Sequence, residues 1–148
     1  MTLPTINVPT YELEIPSTKG KLTYRPFLVK EEKILLLAME QDKEAEMIAA
    51  VSQIIMNCTY DKLTNIDDLA LFDLEYIFLR IRSKSVGEIA KLQLLCEDDG
   101  VTYAEVEVNL EEVGVTFPEG HTNNIIISEE VSLIMEYPQF NILGLKEG

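Results

Sequence analysis

The sequence predicts an α+β fold, with antiparallel β-hairpins toward both ends of the chain packed against about three α-helices within residues 30–85. Two observations carry this expectation. Apolar residues alternate with polar ones from Tyr11 to Arg25 and again after Gly87, the signature of half-buried strands, whereas between residues 30 and 84 they recur at helical spacing. Clusters of Pro, Gly, Asp and Asn mark where the period changes. With 148 residues, 47% of them hydrophobic, the chain can bury one sizeable core, so a single domain over 1–148 is expected.

Residues 1–10 hold Pro4 and Pro9 and read as an extended arm, because proline suits neither a helix interior nor a strand ladder. A hairpin over 11–28 follows. Tyr11, Leu13 and Ile15 should share a face with Leu22 and Tyr24, while Glu12 and Glu14 meet Lys21 and Arg25 across the strands. Pro16 to Gly20 supply the turn.

Residues 30–85 form the helical part. Ile34, Leu35 and Ala38, then Met47, Val51, Ile54, Ile55 and Cys58, indicate helices near 30–40 and 43–57. Cys58 falls on the apolar face and reads as a small buried hydrophobe. Thr64-Asn65, followed by Ile66-Asp67-Asp68, supplies a capping oxygen and early carboxylates for a third helix running to about Lys84. Its apolar residues Leu69, Phe72, Leu74, Ile77, Phe78 and Ile81 cover a wide stripe, which suits the central helix of the core.

Residues 87–137 form the second β part. Ile89 to Cys96, the turn Glu97 to Gly100, and Val101 to Leu110 give the strongest hairpin signal in the chain. Ala104, Val106, Val108 and Leu110 should pack, leaving Glu105, Glu107 and Asn109 in water. A last pair, Asn124 to Ser128 and Val131 to Tyr137, should turn Val131, Leu133, Met135 and Tyr137 to the core; residues 138–148 form a tail.

The charges are unequal, 12 Lys plus Arg against 26 Asp plus Glu, and the excess lies late in the chain: residues 86–148 hold two basic and thirteen acidic side chains. Such a chain is poorly matched to nucleic acid or anionic lipid, which recruit Lys and Arg. Its acidic half either meets a basic protein or keeps the molecule soluble. Cys58 and Cys96 are isolated, without zinc-ligand spacing, and suit a reduced compartment. No apolar run is long enough to span a bilayer, and Met1 to Thr10 lacks the plan of a signal peptide.

Catalytic patterns are lacking. His121, the single histidine, sits in a Pro/Gly loop and reads as solvated. Asp98-Asp99-Gly100 and Asp67-Asp68 read as a tight turn and a helix start, since neither continues into an EF-hand. No phosphate-cradling loop, GxSxG elbow or HExxH helix is present. A non-enzyme without metal or other cofactor is expected.

Arg80, Arg82 and Lys84 close the third helix, where cations suit its dipole. They have two readings: they fix the helix-to-sheet junction by pairing with the Glu-rich strands, or they bind a partner.

The run Leu71-Phe72-Asp73-Leu74-Glu75-Tyr76-Ile77-Phe78-Leu79-Arg80-Ile81-Arg82-Ser83-Lys84-Ser85-Val86-Gly87-Glu88 resembles a signature of the baseplate proteins of T-even-like contractile-tailed phages, above all from Arg80 to Glu88. The resemblance reaches back to Lys33–Glu40 and Ile54–Cys58, and forward through the Cys96 hairpin to Tyr137-Pro138. It implies a part in assembling the central baseplate hub by protein–protein contact, chaperone-like and without a catalytic residue. The alternative is a permanent structural subunit of the virion baseplate. Its implied partners are baseplate hub proteins, with self-association as a further option. Its implied places are the host cytoplasm during assembly and the virion tail. Such relatives continue past the Tyr-Pro strand into another helical segment, and some carry more than one cysteine near the long hairpin. More than one cysteine there would suggest a metal site, but here Cys96 stands alone, so no zinc is expected.

Overall fold

The structure, a computed structural model, describes residues 7–60 and 66–139. Over these residues the fold is α+β: three α-helices and three separate two-stranded antiparallel sheets. In chain order these are β1 (Tyr11–Glu14), β2 (Lys21–Tyr24), α1 (Val29–Gln41), α2 (Glu44–Cys58), α3 (Leu71–Val86), β3 (Ile89–Leu95), β4 (Tyr103–Asn109), β5 (Asn124–Ile126) and β6 (Ser132–Ile134). A short 3₁₀ turn, Ile66–Asp68, precedes α3.

The core is where the first hairpin meets two helices. Register places Tyr11 opposite Tyr24 and Leu13 opposite Leu22, so one face of β1–β2 is apolar. That face delivers Leu13, Ile15, Leu22 and Tyr24 onto Ile54, Ile55 and Cys58 of α2 and Leu74, Ile77 and Ile81 of α3. Full burial of each large aliphatic side chain contributes roughly 1.5–3 kcal/mol, so this layer carries most of the apolar stabilisation. Burial pushes the Cys58 thiol up to about 11, which keeps it protonated and inert.

Backbone bonds extend the hairpin onto α2. Arg25 N–H donates to Cys58 O at 2.9 Å, Tyr60 N–H donates to Thr23 O at 3.0 Å, and Tyr24 bridges Thr59. Arg25 therefore does not reach across the strands to Glu12 or Glu14, as the alternation implied. Glu12 faces Thr23, Glu14 faces Lys21 and lies 3.8 Å from Lys19, and Arg25 turns inward. Its guanidinium meets the fully buried Glu31 of α1 at 3.1 Å and donates to Pro26 O and Asn57 O at 2.9 Å each. Glu31 also accepts the Leu28 N–H at 2.9 Å, capping α1 from inside. Burial alone would raise the Glu31 pKa, but the Arg25, Leu28 and Lys30 donors together hold its carboxyl below the usual range.

The third helix begins later than its capping pattern indicated. Thr64 and Asn65 lie outside the described residues, and α3 starts at Leu71, after the 3₁₀ turn and an extended Ala70. Ala70 bridges Gln139, and the Leu71 N–H donates to Pro138 O at 3.1 Å, so the end of the chain's β part supplies what a polar cap would have supplied. At the other end Gly87, at φ +135°, makes the turn into β3 in a conformation that side chains disfavour.

Beyond Gly87 the sequence expectation of packed hairpins fails. Ala90 and Leu110 are buried and Val108 is half-buried, but Ala104 and Val106 are exposed. Only the root of the β3–β4 hairpin packs. Likewise β5 and β6 are shorter than the apolar runs that contain them, and Val131, Leu133, Met135 and Tyr137 are exposed rather than turned to the core. The alternation is real, but no helix or second sheet lies over it among the described residues.

The buried ion pair gives a direct test. Arg25→Met leaves Glu31 buried without its charge partner and should destabilise the protein by about 3–5 kcal/mol in urea unfolding. The double variant Arg25→Met, Glu31→Met should recover much of that loss, which an independent role for each residue would not allow.

Candidate functional site

The end of α3 carries the cations singled out by sequence, and the structure separates them. Arg80 folds over the Tyr76 ring, 4.8 Å from its centroid, and reaches the loop after β4. There it donates to Glu111 O at 2.9 Å and Val113 O at 3.0 Å, and pairs with the Glu111 carboxylate at 3.4 Å. Lys84 pairs with Glu88 at 3.0 Å and Glu111 at 3.4 Å, and its ammonium lies 5.6 Å from the Tyr11 ring centroid. Glu88 first, and Glu111 with it, raise the Lys84 pKa. Ser83, buried between them in sequence, donates to the Glu111 carboxylate.

One carboxylate thus gathers Ser83, Lys84 and Arg80. The Ser83 hydroxyl in the first place, then the two cations, hold Glu111 below the usual range despite its partial burial. Arg80 and Lys84 clamp the root of the β3–β4 hairpin to α3, the junction-fixing arrangement of the two that the sequence left open. Arg82 differs: it is half-buried and has no hydrogen-bond or ion-pair partner among the described residues.

The hairpins present the larger surface. Ala90, Leu92 and Leu94 on β3 face Val108, Val106 and Ala104 on β4, so one face of the ribbon is continuously apolar. It leaves the core at Ala90 and runs outward through Leu92 (44% exposed), Leu94 (52%) and Val106 (36%). The opposite face is charged, with Lys91 bridging Glu105 at 3.6 Å and Glu107 at 3.1 Å. In β5–β6, Ile125 faces Leu133 on one side, while Ile126 and Ile134, about three-quarters exposed, lie on the other. Isolated two-stranded hairpins are marginal in water, and contiguous exposed apolar faces mark places where another surface belongs.

A family model described as T4 bacteriophage base plate protein matches residues 8–147, nearly the whole chain. The chain belongs to that family. No curated protein and no solved structure matches it. Its role is therefore associated with a phage tail baseplate, and a baseplate protein makes contacts with other baseplate proteins.

Several polar residues that organise this baseplate protein escaped the sequence reading. Asp73 is fully buried in α3 and accepts the Ser17 N–H at 3.0 Å and the Ser17 hydroxyl, holding the first turn against the helix. His121, read as solvated, is exposed but not isolated: its ring stacks on Tyr137 and its Nε2 lies 2.6 Å from the Tyr137 hydroxyl. Tyr137 in turn meets Phe72 of α3 edge to face. This aromatic cluster fastens the C-terminal hairpin beside α3. Asp99 behaves as the turn residue expected: the Thr102 hydroxyl, with the Thr102 and Val101 N–H groups, lowers its pKa to about 2. Among the described residues no group of three or more His, Cys, Asp or Glu could hold a metal ion, and no helix is long and apolar enough to cross a membrane.

The separation of the three cations predicts unequal variants. Arg80→Ala should cost about 1.5–3 kcal/mol in urea unfolding, the usual range for charge-assisted hydrogen bonds. Arg82→Ala should stay within about 0.5 kcal/mol of the parent. Equal losses would contradict the geometry.

Proposed function

We propose that this baseplate protein is a hub assembly factor that works by protein–protein contact, chaperone-like and without catalysis. The observation that carries the reading is the uncovered apolar face of the β3–β4 hairpin, rooted in the core at Ala90 and extended into solvent through Leu92, Leu94 and Val106. A rigid root with an apolar outer face suits a surface that neighbouring subunits cover.

The disposition of charge supports the same reading. Arg25, Glu31, Asp73, Arg80, Lys84 and Glu111 are engaged with one another or with backbone in structural roles. Partners are then hub proteins of the baseplate, reached during assembly in the host cytoplasm. A permanent virion subunit would use the same apolar faces, and stoichiometry separates the two roles.

Affinity purification of the tagged chain from infected cells, beside mass spectrometry of mature virions, tests the proposal. Hub proteins should copurify while virions lack the chain; its presence in virions at fixed stoichiometry would make it a structural subunit instead. Replacing Leu92 and Leu94 by Ser should abolish copurification while changing stability by no more than about 0.5 kcal/mol. Undiminished capture by that variant would remove the hairpin from the account.

A further inference from the structure

The outer edge of β4 is a row of unpaired backbone groups. The Leu110 N–H donates to Glu88 O at 2.7 Å and the Cys96 N–H to Thr102 O at 2.8 Å, which fixes the phase of the ladder. Even-numbered residues bond across the ribbon, and odd-numbered ones point their N–H and C=O away from it. On β4 the outward residues Tyr103, Glu105 and Glu107 have no backbone hydrogen-bond partner among the described residues. At Asn109 the edge ends, because its C=O accepts the Glu112 N–H at 3.1 Å.

The other strands are protected where β4 is not. Tyr24 of β2 bridges Thr59, and β1, β5 and β6 are only three or four residues long. On β3, Lys91 stands among the outward-pointing residues, and lysine is a common guard of exposed edges. By contrast β4 runs for seven residues, Tyr103–Asn109, without Pro or Lys and without a bulge in its pairing. A long edge of that kind is a template for another strand, and a two-stranded ribbon gains independent stability from a third.

Charge specifies what that strand carries. Glu105 and Glu107 are exposed on the wet face and share one cation, Lys91, at 3.6 and 3.1 Å. Lys91 lies on the β3 side, so toward the outer edge neither glutamate has a cation among the described residues. On the other face Ala104 and Val106 are exposed and apolar.

Resting on the reading of this chain as a partner-binding baseplate protein, we infer that the β4 edge receives an extended segment of a second baseplate protein as a third strand. Its backbone pairs with Tyr103, Glu105 and Glu107, an edge of about 14 Å at roughly 3.4 Å of rise per residue. Side chains beside Glu105 and Glu107, two residues apart, are Lys or Arg, and those beside Ala104 and Val106 are apolar and widen the uncovered face. A second copy is poorly matched, because β4 paired with its twin over these residues sets glutamate beside glutamate.

The test places the photo-crosslinking residue p-benzoyl-phenylalanine at Tyr103, an exposed aromatic position on this edge, in the tagged full chain expressed in infected cells. The crosslink should map by mass spectrometry to a baseplate-protein segment in which Lys or Arg alternates with apolar residues. Glu105→Pro deletes one outward N–H and leaves the cross-ribbon bonds in place, so it should lower the yield at least about tenfold. Glu105→Gln, which loses only the charge, should lower it about threefold. A contact made by side chains alone would make those two variants equal. Hydrogen exchange at the Leu92 and Leu94 amides checks that the proline leaves the ribbon intact. Should it not, the double variant Glu105→Lys, Glu107→Lys keeps the backbone unchanged and should also lower the yield about tenfold. A crosslink to a second copy, to residues 140–148 of the same chain, or to a segment without that alternation overturns the inference. So does the absence of any crosslink, or a yield insensitive to these substitutions. Copurification of hub proteins in the same sample separates the outcomes: if they are present without the edge crosslink, only the edge assignment fails, and if they are absent the proposed function fails with it.

Discussion

The buried pairing of Arg25 with Glu31 is the constraint on which the rest of the fold depends. Arg25 follows β2 directly, Glu31 lies in the first turn of α1, and Asn57, whose carbonyl accepts from Arg25, lies in the last turn of α2. One guanidinium therefore fixes the exit of the first hairpin, the entry to α1 and the end of α2 at a single point. Desolvating two charges is costly, and such a pair persists only when every remaining donor and acceptor is engaged. Here the Leu28 N–H, Pro26 O and Asn57 O complete the set, and the neighbouring Phe27 N–H donates to Ser85 near the end of α3. Once that point is fixed, the apolar face of β1–β2 has one place to go, onto Ile54, Ile55, Ile77 and Ile81.

From this core the molecule changes character along α3. The N-terminal half of the helix is held by Asp73, Ser17 and the Phe72–Tyr137 contact, and its C-terminal half by Arg80, Lys84 and Glu111. The Asp73–Ser17 contact holds the first hairpin on the core, whereas the Phe72–Tyr137 contact and the Arg80–Lys84–Glu111 cluster each fasten a later hairpin that does not close over it. The result is a packed scaffold bearing ribbons whose apolar faces are uncovered among the described residues, an arrangement suited to a protein that meets other baseplate proteins.

Most of the fold was legible in the sequence because periodicity is a local signal. The change from period two to helical spacing and back located all three helices, and the turn at Asp98-Asp99-Gly100 set the long hairpin. Two further features were open to the same reasoning. Glu31 lies four residues before Leu35 and seven before Ala38, and Asp73 lies four before Ile77 and eight before Ile81, so both carboxylates stand on the buried stripe of their helices. A charge on an apolar stripe signals a buried partner, although the partner itself, Arg25 or Ser17, is set by tertiary packing. Burial of the late hairpins was not legible: alternation shows that a strand has an apolar face, but not whether the chain itself covers it. Nor could residue type tell Arg80 from Arg82, two positions apart in sequence and on different sides of the helix.

The central claim is that the ribbon faces left uncovered among the described residues are covered by other baseplate proteins. Amide hydrogen exchange, compared between the free protein and its purified baseplate complex, measures this most directly. The account predicts slow exchange at Leu22, Ile54 and Ile77 in both states, with strong new protection around residues 92–94 and 104–106 on binding. Unchanged exchange in those strands within a stable complex would contradict it.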